Sequence, residues 1–362
     1  MGRGTDTGKV EESRVSPVKD HTEKKGISVI IPVRNGEATM MACLNSLVSQ
    51  SLHPDEIIIV DNGSADQTVF LVKQWALVHS DCHPRIVTEM KRGPSAARNR
   101  GAKVAKGEIL VFLDADCVVA SDWIERISEA MDEGSGAVGG PYQGSLPAVE
   151  KYAAMSWFFK GEQPFSFSSP FISRFLLGGN MALWRRDLEK VNGFDETLHV
   201  GEDLDLSFRL KKAEVPLKYI PHLAVTHQTT SSTLKRVHRA FLHGMLQSKI
   251  AKRDFRRRLI LSTFEKSWQL PFPCVIAIEG VSLTKVLGAM ILLGCFYPPQ
   301  ALGLFLILAL VWEFRMVYRL LRLRVPVTFS DCVLIPSGWA SARLAMEVGR
   351  LAGSLRYGLL CW

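Results

Sequence analysis

Asp114 and Asp116, one small residue apart at the end of the run ILVFLDADC (Ile109 to Cys117), are the side chains whose type and spacing first suggest chemistry. Ile109 to Leu113 has the length and branched-aliphatic content of an interior strand of a parallel sheet, so both carboxylates leave its carboxyl edge. Ligands of open α/β sheets collect at that edge. Hard divalent cations take oxygen ligands and share their coordination with substrate phosphates, which carboxylates on either side of Ala115 could supply. A solvated turn gives the same tripeptide, so alone it leaves both readings standing. Glu202 and Asp203 form a second acidic pair, at the start of the apolar-periodic run Leu204 to Leu210. Acids are favoured at a helix N-terminus, so capping is one reading of that pair.

The elements that must position these groups follow from the hydrophobic pattern. Ser28 to Pro32 reads as a buried strand, Val33 to Gly36 as a turn, and Ala38 to Ser49 as an amphipathic helix. A second unit follows, with a strand over Glu56 to Val60, a turn over Asp61 to Ser64 and a helix over Ala65 to Val78. A third strand, Arg85 to Glu89, leads through Lys91, Arg92, Gly93 and Pro94 into a helix capped by Ser95. Cationic side chains and free amides at that helix start suit an anion. Alternating strands and helices of this length predict a doubly wound, mostly parallel sheet flanked by helices. None of the turns carries G-x-G-x-x-G or a P-loop, which argues against dinucleotide oxidoreductases and kinases.

The segments SVIIPVRNG, EIIIVDNGSADQT, RGPSAARNRGAKVAKGEILVFLDADC, GGNMALWRRDLEKVNGFDE and GEDLDLSFRL resemble glycosyltransferase family 2, whose catalytic domain has the Rossmann-like GT-A fold. The likeness spans roughly residues 27–230. It implies that Pro32, Val33, Arg34 and Asn35 wrap a nucleotide and that Asp61 contacts uracil or ribose. Lys91, Gly93, Ala97 and Asn99 then pass the base and ribose. Asp114 and Ala115 lie against the ribose, and Asp116 binds Mn2+ or Mg2+ together with Asp114. His227, in AVTHQ, resembles the histidine that completes metal coordination, although an isolated imidazole is also often a plain surface or core residue. Asp203 takes the role of general base, with Glu202 orienting it or the acceptor, and Gly178, Gly179 and Asn180 line the acceptor side or simply make a tight turn.

Composition frames the rest. A chain of 362 residues, 47% hydrophobic, holds a sizeable catalytic domain and an appendage. Residues 1–26 are polar, show no secretory signal and are expected to be a flexible tail. The 7 cysteines are scattered without a C-x-x-C pair, which predicts neither a zinc site nor a disulfide framework. The net charge of +8 is asymmetric: from Lys235 on there are 18 Lys and Arg against 6 Asp and Glu. Lipid suits this basic excess better than nucleic acid does, because apolar stretches adjoin it.

Residues 231–270 are expected to form amphipathic basic linker helices, with Leu234 to Ile250 either interfacial or packed on the catalytic domain. Residues 271–362 are expected to form a membrane-associated helical region. In it two apolar stretches, about 281–317, flank Pro298 and Pro299 and are each near or below the length of a full span. Basic residues at both outer ends favour a hairpin returning to the cytoplasm over one kinked span or a buried soluble hairpin. Val333 to Trp362 fits a surface helix or a further span. Trp157, Phe158 and Phe159 are either stacking surfaces or core.

The combined expectation is an inverting, metal-dependent glycosyltransferase, attached to the membrane with its catalytic domain facing the cytoplasm. It would move a sugar from a nucleotide diphosphate donor, UDP-linked, to a hydroxyl of a lipid-linked glycan or similar acceptor. A polyprenyl-phosphate glycosyltransferase is the near alternative. A non-catalytic sugar-nucleotide-binding membrane scaffold is the alternative of another class.

Overall fold

A computed structural model describes residues 26–82, 84–143, 175–198, 200–228, 233–255, 258–262, 267–271, 276–279 and 331–361. Three runs of aliphatic residues build the centre: β1 (Ile27–Val33), β2 (Glu56–Asp61) and β4 (Ile109–Leu113). β1 lies between β2 and β4, parallel to both, and β3 (Pro84–Thr88) extends the parallel set beyond β2. On the other side β8 (Asn180–Trp184) runs antiparallel to β4, and β6 (Ala137–Gly139) and β9 (Leu217–Tyr219) complete a sheet ordered β3-β2-β1-β4-β8-β6-β9.

Alternation along each strand feeds a separate core on each face. Val29, Ile31, Ile57, Ile59 and Val111 meet α1 (Met40–Val48), α2 (Thr68–Val78) and α4 (Trp123–Asp132) through Leu44, Trp75 and Ile127. Ile30, Ile58, Val60 and Phe112 meet α3 (Pro94–Val104), α5 (Arg185–Lys190) and α6 (Glu202–Lys212) through Ala97, Leu188 and Leu206. Each fully buried aliphatic side chain contributes about 1.5–3 kcal/mol. The carboxyl ends of β1, β2 and β4 therefore open on one edge, between two packed layers.

The third helix starts differently from expectation. Gly93, at φ +131°, precedes Pro94 at the first helical position, and Ser95 is buried inside the first turn rather than capping it. Pro tolerates that position because its missing N–H would have no intrahelical partner, while the φ of Gly93 needs a residue without Cβ.

A smaller sheet forms where β10 (Val225–His227) runs antiparallel to β5 (Cys117–Val119) and parallel to β7 (Tyr142–Gln143). Beyond it, α7 (Thr233–Asp254) covers the start of α6, packing Leu246, Ile250 and Phe255 on Leu204 and Phe208. The helical linkers expected through residue 270 end at Asp254. β11 (Arg258–Ser262) and β12 (Ser267–Pro271) form an antiparallel pair instead, and β13 (Ile276–Glu279) and β14 (Leu360–Cys361) join their sheet. The run Leu259, Ile260, Leu261 carries no helical alternation, and the charge count alone hid its strand character. A long helix, α8 (Asp331–Tyr357), packs along α7. Among the described residues no helix is long and apolar enough to cross a membrane. The expected hairpin at about 281–317, Trp157, Phe158, Phe159 and the expected tail up to residue 25 lie outside the described residues.

Candidate active site

The carboxyl edge of β4 delivers Asp114 and Asp116 to different neighbours. Asp114 Oδ1 accepts a hydrogen bond from Arg98 Nη2 at 2.8 Å, and its Oδ2 accepts one from the Tyr142 hydroxyl at 2.9 Å. Arg98 comes from the buried face of α3, is 4% exposed, and donates its other terminal nitrogen to Glu202 Oε1 at 2.8 Å. One guanidinium thus joins the acidic loop after β4 to the acidic start of α6. Charge-assisted bonds on both sides make this a rigid bridge. Gly179 must be glycine here: a Cβ on it would lie 2.1 Å from the Asp114 carboxylate and 2.4 Å from the Tyr142 hydroxyl.

Asp116 turns the other way. The pairing of His227 with Cys117 across β10 and β5 brings His227 Nε2 to 3.3 Å from Asp116 Oδ2, with both side chains about one-quarter exposed. The Gln228 amide donates to the Asp116 carbonyl at 2.8 Å and locks this register. Asp116, Cys117 and His227 offer ligand atoms within 4.8 Å of one another, the cluster of this kind among the described residues. Burial first, and then Asp114 and Asp116, push the Cys117 thiol well above its ordinary pKa; its side chain is fully buried, so the donors that reach the surface are a carboxylate and an imidazole. The carboxylate suits a hard divalent ion such as Mn2+ or Mg2+, and the imidazole adds a nitrogen donor of the kind first-row transition ions accept. Asp114, expected to share the ion with Asp116, stands outside this cluster because Arg98 and Tyr142 hold its two oxygens.

Asp203 lies in the first turn of α6, partly exposed. Its Oδ2 accepts from the Gly178 amide at 3.1 Å and its Oδ1 from the Leu204 amide at 2.8 Å. Burial and then the adjacent Glu202 charge raise its pKa to about 7, against the lowering effect of those amides and of Arg98. A carboxyl poised near neutrality suits proton abstraction far better than one near pH 4.

The loops after β1 and β2 stand side by side, since Val33 pairs with Asp61. Asn35, at φ +56°, accepts from the Ala65 amide through Oδ1 and donates its own amide to Ser64 Oγ, while Asp61 accepts from the Ser64 amide at 3.0 Å. Arg34 is exposed beside them and Pro32 is half-buried. Asn62, which the sequence pattern did not single out, is 5% exposed; its amide donates to the carbonyls of Glu89 and Lys91 and accepts from the Gly93 amide at 2.8 Å. It staples the Lys91 to Gly93 loop to the end of β2.

Three expected contact residues are engaged elsewhere. Ala97 is fully buried in the core beneath α3, so its side chain reaches no ligand. Asn99 exchanges hydrogen bonds with the Phe194 backbone and donates to Glu196, whose other oxygen takes Lys91 Nζ at 2.6 Å. Asn180 is buried, accepting from Trp123 Nε1 at 3.1 Å and donating to the carbonyl of Leu223 at 2.8 Å, so it holds β8 rather than facing an acceptor. Arg98 and Tyr142 were missed as site residues. Only the fold brings them to Asp114, although the arginine could have been suspected from its place in the apolar face of α3.

Residues 28–191 match the family model described as glycosyl transferase family 2, and residues 163–233 match the one described as N-terminal domain of galactosyltransferase. Glycosyltransferase AglE of Haloferax volcanii is 37% identical over 133 residues, covering 35% of this chain and 43% of that protein. The pre-mycofactocin glycosyltransferase of Mycobacterium tuberculosis is 26% identical over 235 residues, covering 63% of this chain and 48% of that protein. The chain spans less than half the length of these two relatives. Among solved structures, the mannosyltransferase PcManGT from Pyrobaculum calidifontis, in complex with GDP-Man and Mn2+, superposes with a TM-score of 0.53 at 21% identity, covering 93% of this chain and 88% of that one. That likeness carries the GT-A fold.

Proposed function

We propose, from the match of residues 28–191 to glycosyl transferase family 2, that this chain is a glycosyltransferase that moves one sugar with inversion from a nucleoside diphosphate donor, UDP-linked, to an acceptor hydroxyl. The observation that carries this reading is the Arg98 bridge, which ties Asp114 on the donor side to Glu202 beside Asp203. Asp203 accepts the proton of the acceptor hydroxyl as the new glycosidic bond forms. The Gly178 amide fixes the carboxylate, and burial and then the Glu202 charge raise its pKa to about 7, near the pH at which it would work. Asp116 and His227 are the residues placed to hold Mn2+ or Mg2+. When bound, such an ion neutralises the charge that develops on the departing diphosphate. The loops at Val33 to Asn35 and Asp61 to Ser64 form the nucleotide side.

A carboxyl tuned to about 7 favours a neutral hydroxyl acceptor over a phosphate oxygen, which is already ionised and needs no base. The long apolar runs at about 281–317 and the basic C-terminal half support membrane attachment facing the cytoplasm, and with it a lipid-linked glycan or other membrane-proximal acceptor. The test incubates the full chain in detergent with labelled UDP-sugars and GDP-mannose, with Mn2+ or Mg2+, and measures nucleotide release and sugar transfer. Release with one donor, abolished by EDTA and restored by Mn2+, is expected. Full turnover after exhaustive EDTA treatment, or no cleavage of any donor, would overturn the metal-dependent transferase reading.

A further inference from the structure

The helix α8 carries its polarity reversed. Glu347, Arg350 and Ser354 are buried, 1% exposed in the case of Arg350, whereas Leu344, Val348, Leu351 and Leu355 are 56, 48, 43 and 88% exposed. Spacings of four, three and four residues put these aliphatic side chains on one face of the helix. Arg350 is held from both helices: its Nε donates to Gln247 Oε1 and its carbonyl accepts from Ser248 Oγ at 2.9 Å, both on α7, while its Nη1 donates to the Glu347 carboxylate of α8 at 3.1 Å. Glycines let the two backbones touch. A Cβ on Gly244 would sit 2.0 Å from the Met346 carbonyl oxygen, and one on Gly349 would sit 2.0 Å from that of Phe241.

Small residues and satisfied polar groups at the seam, with leucines facing outward, is how helices pack in lipid, where burying apolar side chains against one another gains little. In water the same face would be a contiguous apolar stripe, which marks an interaction surface. The charge around it points to the partner. Arg356 is exposed beside Leu355, Lys252 is exposed on α7, and Arg343 adjoins Leu344 in sequence, within a C-terminal stretch of 18 basic against 6 acidic residues. α8, at 27 residues, has the length of a span but not the apolarity. We propose that the Leu344, Val348, Leu351 and Leu355 face of α8 lies in the interface of an anionic lipid bilayer, parallel to its plane. This rests on the membrane-attached reading above and assigns the surface that makes the contact.

The experiment places p-benzoylphenylalanine at Leu344 or Leu351 of the full chain, with exposed Lys73 on α2 as the control position. Each protein is irradiated with vesicles of phosphatidylglycerol and phosphatidylcholine, after their flotation has been measured. Lipid adducts at positions 344 and 351, at least about tenfold above those at 73, are expected. A chain that floats but crosslinks from 344 and 351 to its own residues 281–330, to a second copy, or no more to lipid than position 73 does overturns this inference alone. A chain that does not float overturns the attachment reading and this inference with it. Nucleotide release in detergent, scored on the same proteins, reports separately on the transferase reading. A companion pair, Val348→Glu and Leu351→Glu, is expected to lower the phosphatidylglycerol-dependent flotation severalfold while leaving nucleotide release in detergent unchanged.

Discussion

Arg98 is the residue on which the site turns, because it is buried, fully charged and shared by two carboxylates from distant parts of the chain. Arg98→Met leaves Asp114 and Glu202 facing each other without a cation, so we expect at least a hundredfold loss of transfer and a rise in the pH at which the remaining activity appears. Arg98→Lys supplies one charge without the fork and should recover only part of the rate, which a kcat against KM comparison reads. Asp203 makes a prediction in pH. Its carboxyl titrates near 7 in the fold and near 3.8 when unperturbed, so the basic form accumulates as pH rises through 7 and kcat/KM should fall on the acid side of that value. The linkage has the opposite sign for stability: the folded state holds the proton more tightly than the unfolded one. The carboxyl therefore destabilises the fold increasingly from about pH 4 to above pH 7 and has no such effect below that range. Asp203→Asn should abolish transfer, keep donor binding and raise Tm more at pH 8 than at pH 5; an unchanged Tm difference would count against the raised pKa. The places of Asp114, Asp116, Glu202 and Asp203 at element ends were legible because acidic residues there are visible in a sequence; that Asp114 is held by Arg98 and Tyr142 was not. Arg98 and Asn62 were not, since each acts by joining loops that are far apart along the chain.

At the scale of elements, the position of α6 decides whether Asp203 points into the site, and a buried latch holds that helix. Asp205, fully buried, accepts from Arg209 Nε and from Arg253 Nη1 on α7, both at 2.7 Å, and Lys212 pairs with Asp254 at 2.7 Å. Breaking such a pair from one side leaves uncompensated charge, and because both arginines reach solvent the cost for Asp205→Ala should be near the lower end of the known range, about 3 kcal/mol. Urea unfolding measures it; a loss of kcat larger than the change in donor KM would show that the latch also aims the first turn of α6. The proposed metal donors depend in the same way on β10, which carries His227 to Asp116. His227→Ala should raise the Mn2+ concentration for half-maximal activity at least tenfold, with little change in Tm since the ring is partly exposed. β10 is three residues long, and its partner β5 follows the acidic loop directly. Such short strands leave almost no periodicity to read, which is why the neighbourhood of His227 emerged only in three dimensions. The uniformly apolar β1, β2 and β4 were legible for the opposite reason.

Across the whole molecule, charge is divided between an acidic catalytic part and a basic C-terminal part. Up to Leu234 the chain has 26 Lys and Arg against 30 Asp and Glu, and after it 18 against 6. The catalytic sheet was foreseeable as α/β, yet the antiparallel β8 and the strands after Asp254 were not, because pairing partners are set by tertiary closure and not by local pattern. The division of charge has a consequence for where the site works. On the proposed attachment, an anionic surface would attract the C-terminal part and repel the acidic one, and so would orient the carboxyl edge of the sheet relative to the bilayer. Raising NaCl from 0.1 to 1 M shortens the screening length from about 10 Å to about 3 Å, so the electrostatic share of attachment should vanish while the apolar share stays. Flotation with phosphatidylglycerol vesicles should therefore weaken severalfold over that range, and flotation with phosphatidylcholine vesicles should stay constant at a lower level. Equal binding to both lipids at low salt would mean that the basic half does not face the membrane, and the orientation argued from it would fail.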